Sequence, residues 1–148
     1  MVNPPRTYSE WSRLLVMLKK QTNDAEVLAA MRNGAIEWQS GIAERFSQKL
    51  VDAINARMNS ASDKFQLSMG RSSGDAGVIR AMDNLRKEYC FLCQAVDIPC
   101  IPENIRKQYM DLINDQADKT QESLEESAKR DRSGRLSFLV KQHRVNNF

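Results

Sequence analysis

Residues 36–69 read IEWQSGIAERFSQKLVDAINARMNSASDKFQLSM and set the architecture of the chain. Apolar residues recur there at steps of four and three: Ile42, Phe46, Leu50, Ile54, Met58, Ala61 and Phe65. Residues with this spacing share one face of a helix. No proline interrupts the stretch, so we predict a helix of about 30 residues, with Trp38 near its beginning. A helix of this length needs other helices against its apolar stripe.

Two shorter helices are predicted before this stretch. Thr7 and Glu10 have the spacing of a capping box, in which each side chain satisfies an amide at the start of a helix. Asn23 with Glu26 gives a second start signal of the same kind. Gly34 is predicted to close the second helix, because glycine accepts the left-handed conformation of a C-cap.

Glycines mark two further features. Gly41 lies inside the long stretch and predicts either the close approach of another helix or a helix that begins at Ser40 instead. Residues 70–77 contain three glycines, at positions 70, 74 and 77, which favours a flexible connection. Their spacing superficially resembles a phosphate-binding loop, but the lysine of a P-loop and a βαβ context are both missing. We interpret residues 70–77 as a linker.

The most regular pattern follows these glycines. Apolar residues at heptad spacing form a seam: Val78, Met82, Leu85, Tyr89, Leu92 and Val96. The seam is typical of a coiled-coil helix, so we predict that residues 36–69 and 78–97 form a long central antiparallel hairpin. The two apolar stripes have different periods and cannot stay in register. We therefore predict a protein interface at the first five residues of the seam in a symmetric homodimer; the alternative is a monomer.

Pro102 begins a fifth predicted helix, because a proline in the first turn loses no helical hydrogen bond. The apolar face of this helix is strong as far as Ile113 and thins beyond Asn114. We expect its second half to be exposed or to wait for a partner. The fold prediction is an all-α bundle of about five helices, with a single domain in residues 1–132 and a basic tail in residues 133–148.

The composition is that of a globular protein. The chain has 148 residues, of which 41% are hydrophobic and 28% charged, and this argues against disorder. A net charge of +3 permits contact with nucleic acid without requiring it. No apolar run approaches the roughly 18 residues of a membrane-spanning helix. The first residues lack the apolar core of a secretion signal and the three cysteines are an odd number, so we expect a cytoplasmic protein without membrane contact.

The cysteines form one candidate site. Cys90 and Cys93 have C-x-x-C spacing, Cys100 follows seven residues later, and His143 would complete a tetrahedral zinc site. Cys90 and Cys93 fall inside the heptad helix, however, whereas such sites usually need a turn. Thiols are also common core residues. We interpret the cysteines as structural and predict no metal and no cofactor.

Carboxylates follow one face of the fifth predicted helix: Asp111, Asp115, Asp118, Glu122 and Glu125. Paired carboxylates can bind divalent cations or act as acid and base. No histidine accompanies them and no second carboxylate helix is indicated opposite them. We favour a solvated face, or a patch that docks a basic partner.

Cations crowd into the end of the chain: Lys129, Arg130, Arg132, Arg135, Lys141 and Arg144. Phe138 is interleaved with them and only Asp131 opposes them, a composition that can follow a phosphate backbone. Arg45, Lys49 and Arg57 of the long helix would add to such a surface. A solvated tail, or one that folds back on the acidic stripe, explains the pattern equally well.

No motif supports catalysis, because the only histidine lies in the tail and no known motif surrounds a serine or cysteine. We predict a non-enzymatic helical protein–protein interaction module: an adaptor, a regulator or a small subunit of a larger bacterial or phage-type assembly. The alternative is a nucleic-acid-associated helical protein that binds the phosphate backbone through its basic C-terminal tail.

Overall fold

The computed structural model describes residues 2–37, 39–71 and 74–148. Those residues form six helices and no strand. The helices are α1 (Tyr8–Lys19), α2 (Asp24–Arg32), α3 (Ser40–Arg71), α4 (Asp75–Val96), α5 (Glu103–Ala128) and α6 (Arg135–Gln142). The predicted all-α class is confirmed, with one helix more than expected. The antiparallel hairpin of residues 36–69 and 78–97 stays a prediction.

The long helix α3 has 32 residues and begins at Ser40, the second of the two starts considered from the sequence. A Cβ added to Gly41 would meet nothing within 4 Å. The predicted close approach of another helix at this glycine is therefore wrong. Trp38, expected near the beginning of the long helix, lies outside the described residues.

The connection between α3 and α4 is shorter than predicted. Gly70 and Arg71 still belong to α3, and Asp75 already belongs to α4. Ser72 and Ser73 lie outside the described residues. The predicted linker of residues 70–77 is therefore wrong in its extent. A glycine weakens a helix by only about 1 kcal/mol relative to alanine and does not by itself end one.

The described residues divide into two compact units. The first unit comprises Met1–Asn59 with Cys93–Met110, and the second comprises Ser60–Leu92 with Asp111–Phe148. Helices α3, α4 and α5 each supply residues to both units. The division of the chain into a domain of residues 1–132 and a tail stays a prediction.

Trp11 lies at the centre of the first unit. Its side chain is fully buried, its ring meets that of Phe46 edge-on at 5.3 Å between centroids, and its Nε1 donates to the carbonyl oxygen of Ala35 at 3.0 Å. Other buried apolar residues of this unit include Leu14, Leu15, Leu18, Val27, Met31, Leu50 and Ile54. The apolar stripe predicted for the long helix is thus its buried face over residues 46–58.

The starts of α1 and α2 differ from each other. Thr7 caps α1 as predicted, because its Oγ1 accepts a hydrogen bond from the amide of Glu10 at 3.3 Å. The Glu10 carboxylate accepts from the Thr7 hydroxyl at 3.1 Å, where the capping box predicts a bond to an amide. Asn23 precedes α2 as predicted but has a left-handed backbone with φ of 53° and makes no side-chain capping bond. The predicted capping mechanism is wrong there, since an N-cap side chain normally works from an extended backbone.

Gly34, which follows α2, leaves no room for a side chain because Trp11 and Pro5 lie against it. The predicted left-handed cap is wrong: among the glycines of the described residues, the one with positive φ is Gly134. A Cβ on Gly34 would lie 2.7 Å from Cζ2 of Trp11 and 2.9 Å from Cγ of Pro5. A side chain at this position would displace the central tryptophan of the first unit.

The second half of α5 is covered, which the sequence did not lead us to expect. Ala117, Gln121 and Ala128 are at most 1% exposed. Residues 134–148, called the C-terminal segment from here on, include α6 and bury Leu139, Val140 and Val145. The weakly apolar face of α5 is therefore buried without a second protein, because the C-terminal segment of the same chain packs against it.

Candidate interaction surface

A turn built around Asp131 fixes the start of α6. The Asp131 carboxylate accepts hydrogen bonds from the amide of Leu136 at 3.0 Å and from the hydroxyl of Ser133 at 2.9 Å. Gly134 turns the chain with φ of 75°, a conformation that suits glycine. The bond from the Leu136 amide, followed by those from Ser133, holds the pKa of Asp131 below its ordinary value. The charged carboxylate therefore caps α6.

A buried amide fastens the other end of α6. Gln121 is 1% exposed; its Nε2 donates to the carbonyl oxygen of Val140 at 3.1 Å, and its Oε1 accepts from the amide of Val145 at 3.0 Å. The Val140 carbonyl lies in the last turn of α6, where helical carbonyls lack helical partners. One side chain thus satisfies two backbone groups of the C-terminal segment.

Further side-chain contacts run from the C-terminal segment to α4 and α5: Arg135 Nε to Asp75 Oδ2 at 2.6 Å, Arg144 Nη1 to Glu125 Oε1 at 3.3 Å, and Asn146 Nδ2 to Asp118 Oδ1 at 2.9 Å. The tail therefore folds back on part of the acidic stripe, one of the alternatives left open by the sequence. Exposed ion pairs each contribute about 0–1 kcal/mol, so these contacts orient the segment more than they stabilise it.

Tyr89 of α4 holds the last residue of the chain. Its ring stacks on that of Phe148 with centroids 6.1 Å apart and planes inclined at 27°. Its hydroxyl lies 3.0 Å from Oγ1 of Thr120. Burial raises the pKa of Tyr89, and the hydrogen bond to Thr120 opposes that shift. Contacts of the C-terminal segment with α4 and α5 thus extend from Arg135 to Phe148.

The outer side of α6 remains exposed. It consists of Arg135, Phe138, Lys141 and Gln142, and we call it the α6 face. Phe138 is 63% exposed, more than any other large hydrophobic side chain that the structure describes. Arg135 and Lys141 lie three residues to either side of Phe138 and so share its side of the helix. The α6 face is an exposed aromatic ring between two cations.

The predicted phosphate contacts fall into two groups. Three of them join ion pairs within the chain: Lys129 with Glu126, Arg135 with Asp75, and Arg144 with Glu125. The other three, Arg130, Arg132 and Lys141, are exposed. Half of the cations expected to bind a phosphate backbone are therefore already paired with carboxylates.

The cations of the long helix are not equivalent. Arg57 is 1% exposed and its guanidinium donates to both carboxylate oxygens of Asp24, each at 2.8 Å. Its expected contact with nucleic acid is wrong, because a buried and paired guanidinium does not reach a phosphate. Arg45 and Lys49 line a shallow groove of about 330 Å³ with Tyr8 in the first unit.

The cysteines are thiols rather than disulfides. Cys93 is buried, and burial raises the pKa of the half-buried Cys100 thiol. Nδ1 of His143 lies 3.9 Å from Oδ1 of Asp83. In the part of the chain that the structure describes, no group of three or more His, Cys, Asp or Glu side chains could hold a metal ion. The alternative of a zinc site with Cys90 finds no support.

The acidic stripe is divided between two environments. Asp118 and Glu125 accept hydrogen bonds from the C-terminal segment, whereas Asp111, Asp115 and Glu122 are exposed. The last three residues are called the α5 carboxylate row from here on. The stripe predicted from the sequence thus leaves three carboxylates to face solvent.

The seam predicted as a protein interface is mostly inside the folded chain. Met82, Leu85, Tyr89 and Leu92 are at most 2% exposed, and Val78 is half-buried. Their contact with a second protein stays a prediction. It requires exposure of side chains that one copy of the chain already covers.

The role of Gln121 was not predicted from the sequence. A signal was present, because Gln121 lies four residues after Ala117 and seven before Ala128, in register with the apolar face of α5. A polar residue in such a register is a candidate for a buried, hydrogen-bonded group. Its partners, the backbone groups of Val140 and Val145, leave no pattern in the sequence.

None of the helices within the described ranges is both long and apolar enough to cross a bilayer. Comparison of the chain with models of known protein families, with curated proteins and with solved structures finds no match.

Proposed function

We propose that this chain is a non-enzymatic helical protein–protein interaction module, of the class that includes adaptors, regulators and small subunits of larger assemblies. The exposure of Phe138 on the α6 face carries the proposal. Aromatic and arginine side chains supply much of the binding energy at protein interfaces once a partner removes them from water. An aromatic ring between Arg135 and Lys141 has the composition of such a contact.

The way in which α6 is held supports the same function. Asp131 caps the start of the helix, and Gln121 bonds to the backbone at its end. Leu139 and Val140 are buried on the inner side of α6. A face that is already ordered loses little conformational freedom on binding, so more of its contact energy is expressed as affinity.

The alternative, association with nucleic acid, depends on the same region. With Arg130, Arg132 and Lys141 as its contacts, the logarithm of affinity for duplex DNA would fall with a slope of about 3 against the logarithm of salt concentration. Three of the six predicted phosphate contacts, Lys129, Arg135 and Arg144, already pair with carboxylates of the chain, which favours a protein partner.

A capture experiment tests the proposed function. Immobilised wild type, Phe138→Ser and Leu67→Ser chains are incubated with a lysate of the native cells, and bound proteins are quantified by mass spectrometry. Leu67 is 58% exposed on α3 in the second unit, so Leu67→Ser is a matched loss of exposed apolar surface. We expect that specific proteins bind to the wild type and to Leu67→Ser but not to Phe138→Ser. Copies of the chain itself count among these proteins if they are recovered.

Two results would contradict the proposal. If wild type and Phe138→Ser recovered every bound protein equally, the α6 face would have no part in binding. Recovery that disappears after nuclease treatment of the lysate would favour the nucleic-acid alternative instead.

A further inference from the structure

A surface cavity of about 470 Å³ lies between the end of α3 and the first half of α4. Two arginines line it, Arg71 from α3 and Arg80 from α4. Both residues are exposed, and both belong to the second unit. Two cations that line one cavity repel each other unless an anion joins them, so the pair favours a negatively charged ligand.

Neither of these guanidinium groups has an ion-pair partner among the described residues. By contrast, Arg86, Arg135 and Arg144 of the same unit all pair with carboxylates. Asp75 lies close to the cavity in the sequence, but its Oδ2 accepts from Nε of Arg135 at 2.6 Å. Neither Asp75 nor any residue of the α5 carboxylate row lines the cavity. The carboxylates of the chain therefore leave this pair of arginines to an external anion.

The groove of the first unit shows why a lining without a carboxylate matters. Arg45 and Lys49 line that groove of about 330 Å³, but Asp52 lines it with them. An anion bound there would face a carboxylate as well as two cations. Between Arg71 and Arg80, an anion would meet no carboxylate of the described lining. The two cation pairs are therefore not equivalent as anion sites.

The rest of the lining favours a small polar molecule. Four small residues leave the space open: Gly74, Ala76, Gly77 and Ala81. Asn84 adds a side-chain amide and Ser68 a hydroxyl, and both kinds of group form hydrogen bonds with the hydroxyls of a ligand. Among the described residues that line the cavity none is aromatic, so a nucleobase would have no ring on which to stack. The volume is that of a small-molecule site.

We propose that the cavity between α3 and α4 binds a small phosphorylated sugar or polyol, with its phosphate group held by Arg71 and Arg80 and its hydroxyl groups by Asn84. Guanidinium groups match phosphate oxygens in charge and geometry, and one guanidinium can donate to two of them. The site goes beyond the proposed function, because none of its lining residues belongs to the α6 face.

Titration of the purified chain, followed by the NMR shifts of its backbone amides, tests the proposal. The probes are glucose 6-phosphate and β-glycerophosphate, with inorganic phosphate, glucose and glycerol as references. One variant replaces both arginines of the cavity (Arg71→Gln with Arg80→Gln). A control, Arg130→Gln with Arg132→Gln, removes the same charge from exposed arginines of the same unit that do not line the cavity. Far-UV circular dichroism verifies that each variant is folded.

In about 50 mM salt, where exposed charges are only partly screened, we expect both phosphate esters to shift the amides of Gly74 and Gly77. The amide of Lys49, in the groove of the first unit, should not shift. The double variant should bind the esters about tenfold more weakly or worse, because the phosphate loses both charged hydrogen-bond partners. The control should bind them as the wild type does.

The references separate the two halves of the ligand. Inorganic phosphate should shift the same amides but bind more weakly than the esters, and glucose and glycerol should not shift them. Asn84→Ala should remove the preference for the esters over inorganic phosphate, because it removes the amide that bonds to their hydroxyls.

The absence of shifts at Gly74 and Gly77 with both esters would overturn the proposal, as would equal affinities of the wild type and the double variant. Equal binding of inorganic phosphate and the esters by the wild type would overturn the assignment of a sugar or polyol. These measurements use the purified chain alone, so their outcome is independent of whether Phe138→Ser loses proteins in the capture experiment.

Discussion

The two compact units accommodate buried polar groups in different ways. In the first unit, the buried guanidinium of Arg57 donates to the Asp24 carboxylate and to the carbonyl oxygen of Leu18 at 3.2 Å. In the second unit, the neutral amide of Gln121 bonds to the backbone of the C-terminal segment. The first arrangement pairs a buried cation with a carboxylate, whereas the second buries a neutral amide. The first unit therefore depends on its apolar core and on the pair of Arg57 with Asp24, and the second on the bonds that hold the C-terminal segment.

The largest effect should come from the core of the first unit. Leu50 is fully buried, so Leu50→Ala should lower the free energy of unfolding by about 2–5 kcal/mol through lost contacts and a cavity. Asn55 lies on the exposed side of the same helix, and Asn55→Ala should change that free energy by less than about 0.5 kcal/mol. Denaturant titration measures both values. Equal midpoints for the two variants would show that the buried face of α3 is wrongly assigned.

The ion pair of the buried Arg57 guanidinium with the partly exposed Asp24 should rank next. Asp24→Asn leaves the Arg57 guanidinium buried without its counter-charge and should lower the free energy of unfolding by about 1–3 kcal/mol. Asp52→Asn is the matched control, since Asp52 pairs with Lys19 at the same 2.8 Å but both side chains are exposed. The control should cost less than about 1 kcal/mol. A control as destabilising as Asp24→Asn would mean that burial does not distinguish the two pairs.

In the second unit, Gln121→Leu should lower the free energy of unfolding by about 1–2 kcal/mol, because it leaves the Val140 carbonyl and the Val145 amide buried without their partner. Gln116→Leu, at an exposed position of the same helix, serves as the control and should be close to neutral. Thermal or denaturant unfolding compares them. A neutral Gln121→Leu would show that apolar contacts alone hold the C-terminal segment.

The two units also differ in how far the sequence predicts them. Spacing alone identified the buried residues Phe46, Leu50 and Ile54 and the all-α class, because apolar periodicity acts along one helix. It did not predict that Gln121 holds the end of the chain, since the bonds of an amide to distant backbone groups leave no periodic trace. The prediction for Gly34 was wrong for a related reason, because the need for glycine there comes from the ring of Trp11, which is distant in the sequence.

The sequence predicted the charged residues of the candidate surface but not which of them pair with each other. The cations near the end of the chain were recognised from their crowding and the carboxylates of α5 from their spacing. Which of them pair within the chain and which stay exposed depends on tertiary contacts such as that of Arg135 with Asp75. Burial of the α4 seam likewise depends on the fold, and spacing alone does not show that Met82, Leu85 and Leu92 are already covered within one copy of the chain.

The smallest predicted effect concerns pH. Because hydrogen bonds lower the pKa of Asp131 in the folded chain, the stabilisation of its turn is present above the ordinary carboxyl pKa of about 4 and is lost as pH falls through the lowered pKa. The NMR shift of the Leu136 amide should report this loss below about pH 4. Asp131→Asn should remove the dependence. The same titration of that amide in both proteins would contradict the proposed cap.

Amide hydrogen exchange of the wild-type chain tests most directly whether the C-terminal segment is a fixed part of the fold that presents Phe138. The informative amide is that of Val145, which lies outside any helix and donates to Oε1 of Gln121. We predict that it exchanges far more slowly than in an unstructured peptide, as do the amides of Leu139 and Val140, and that Gln121→Leu removes this protection. Exchange of the Val145 amide at the unstructured rate in the wild type would contradict the account.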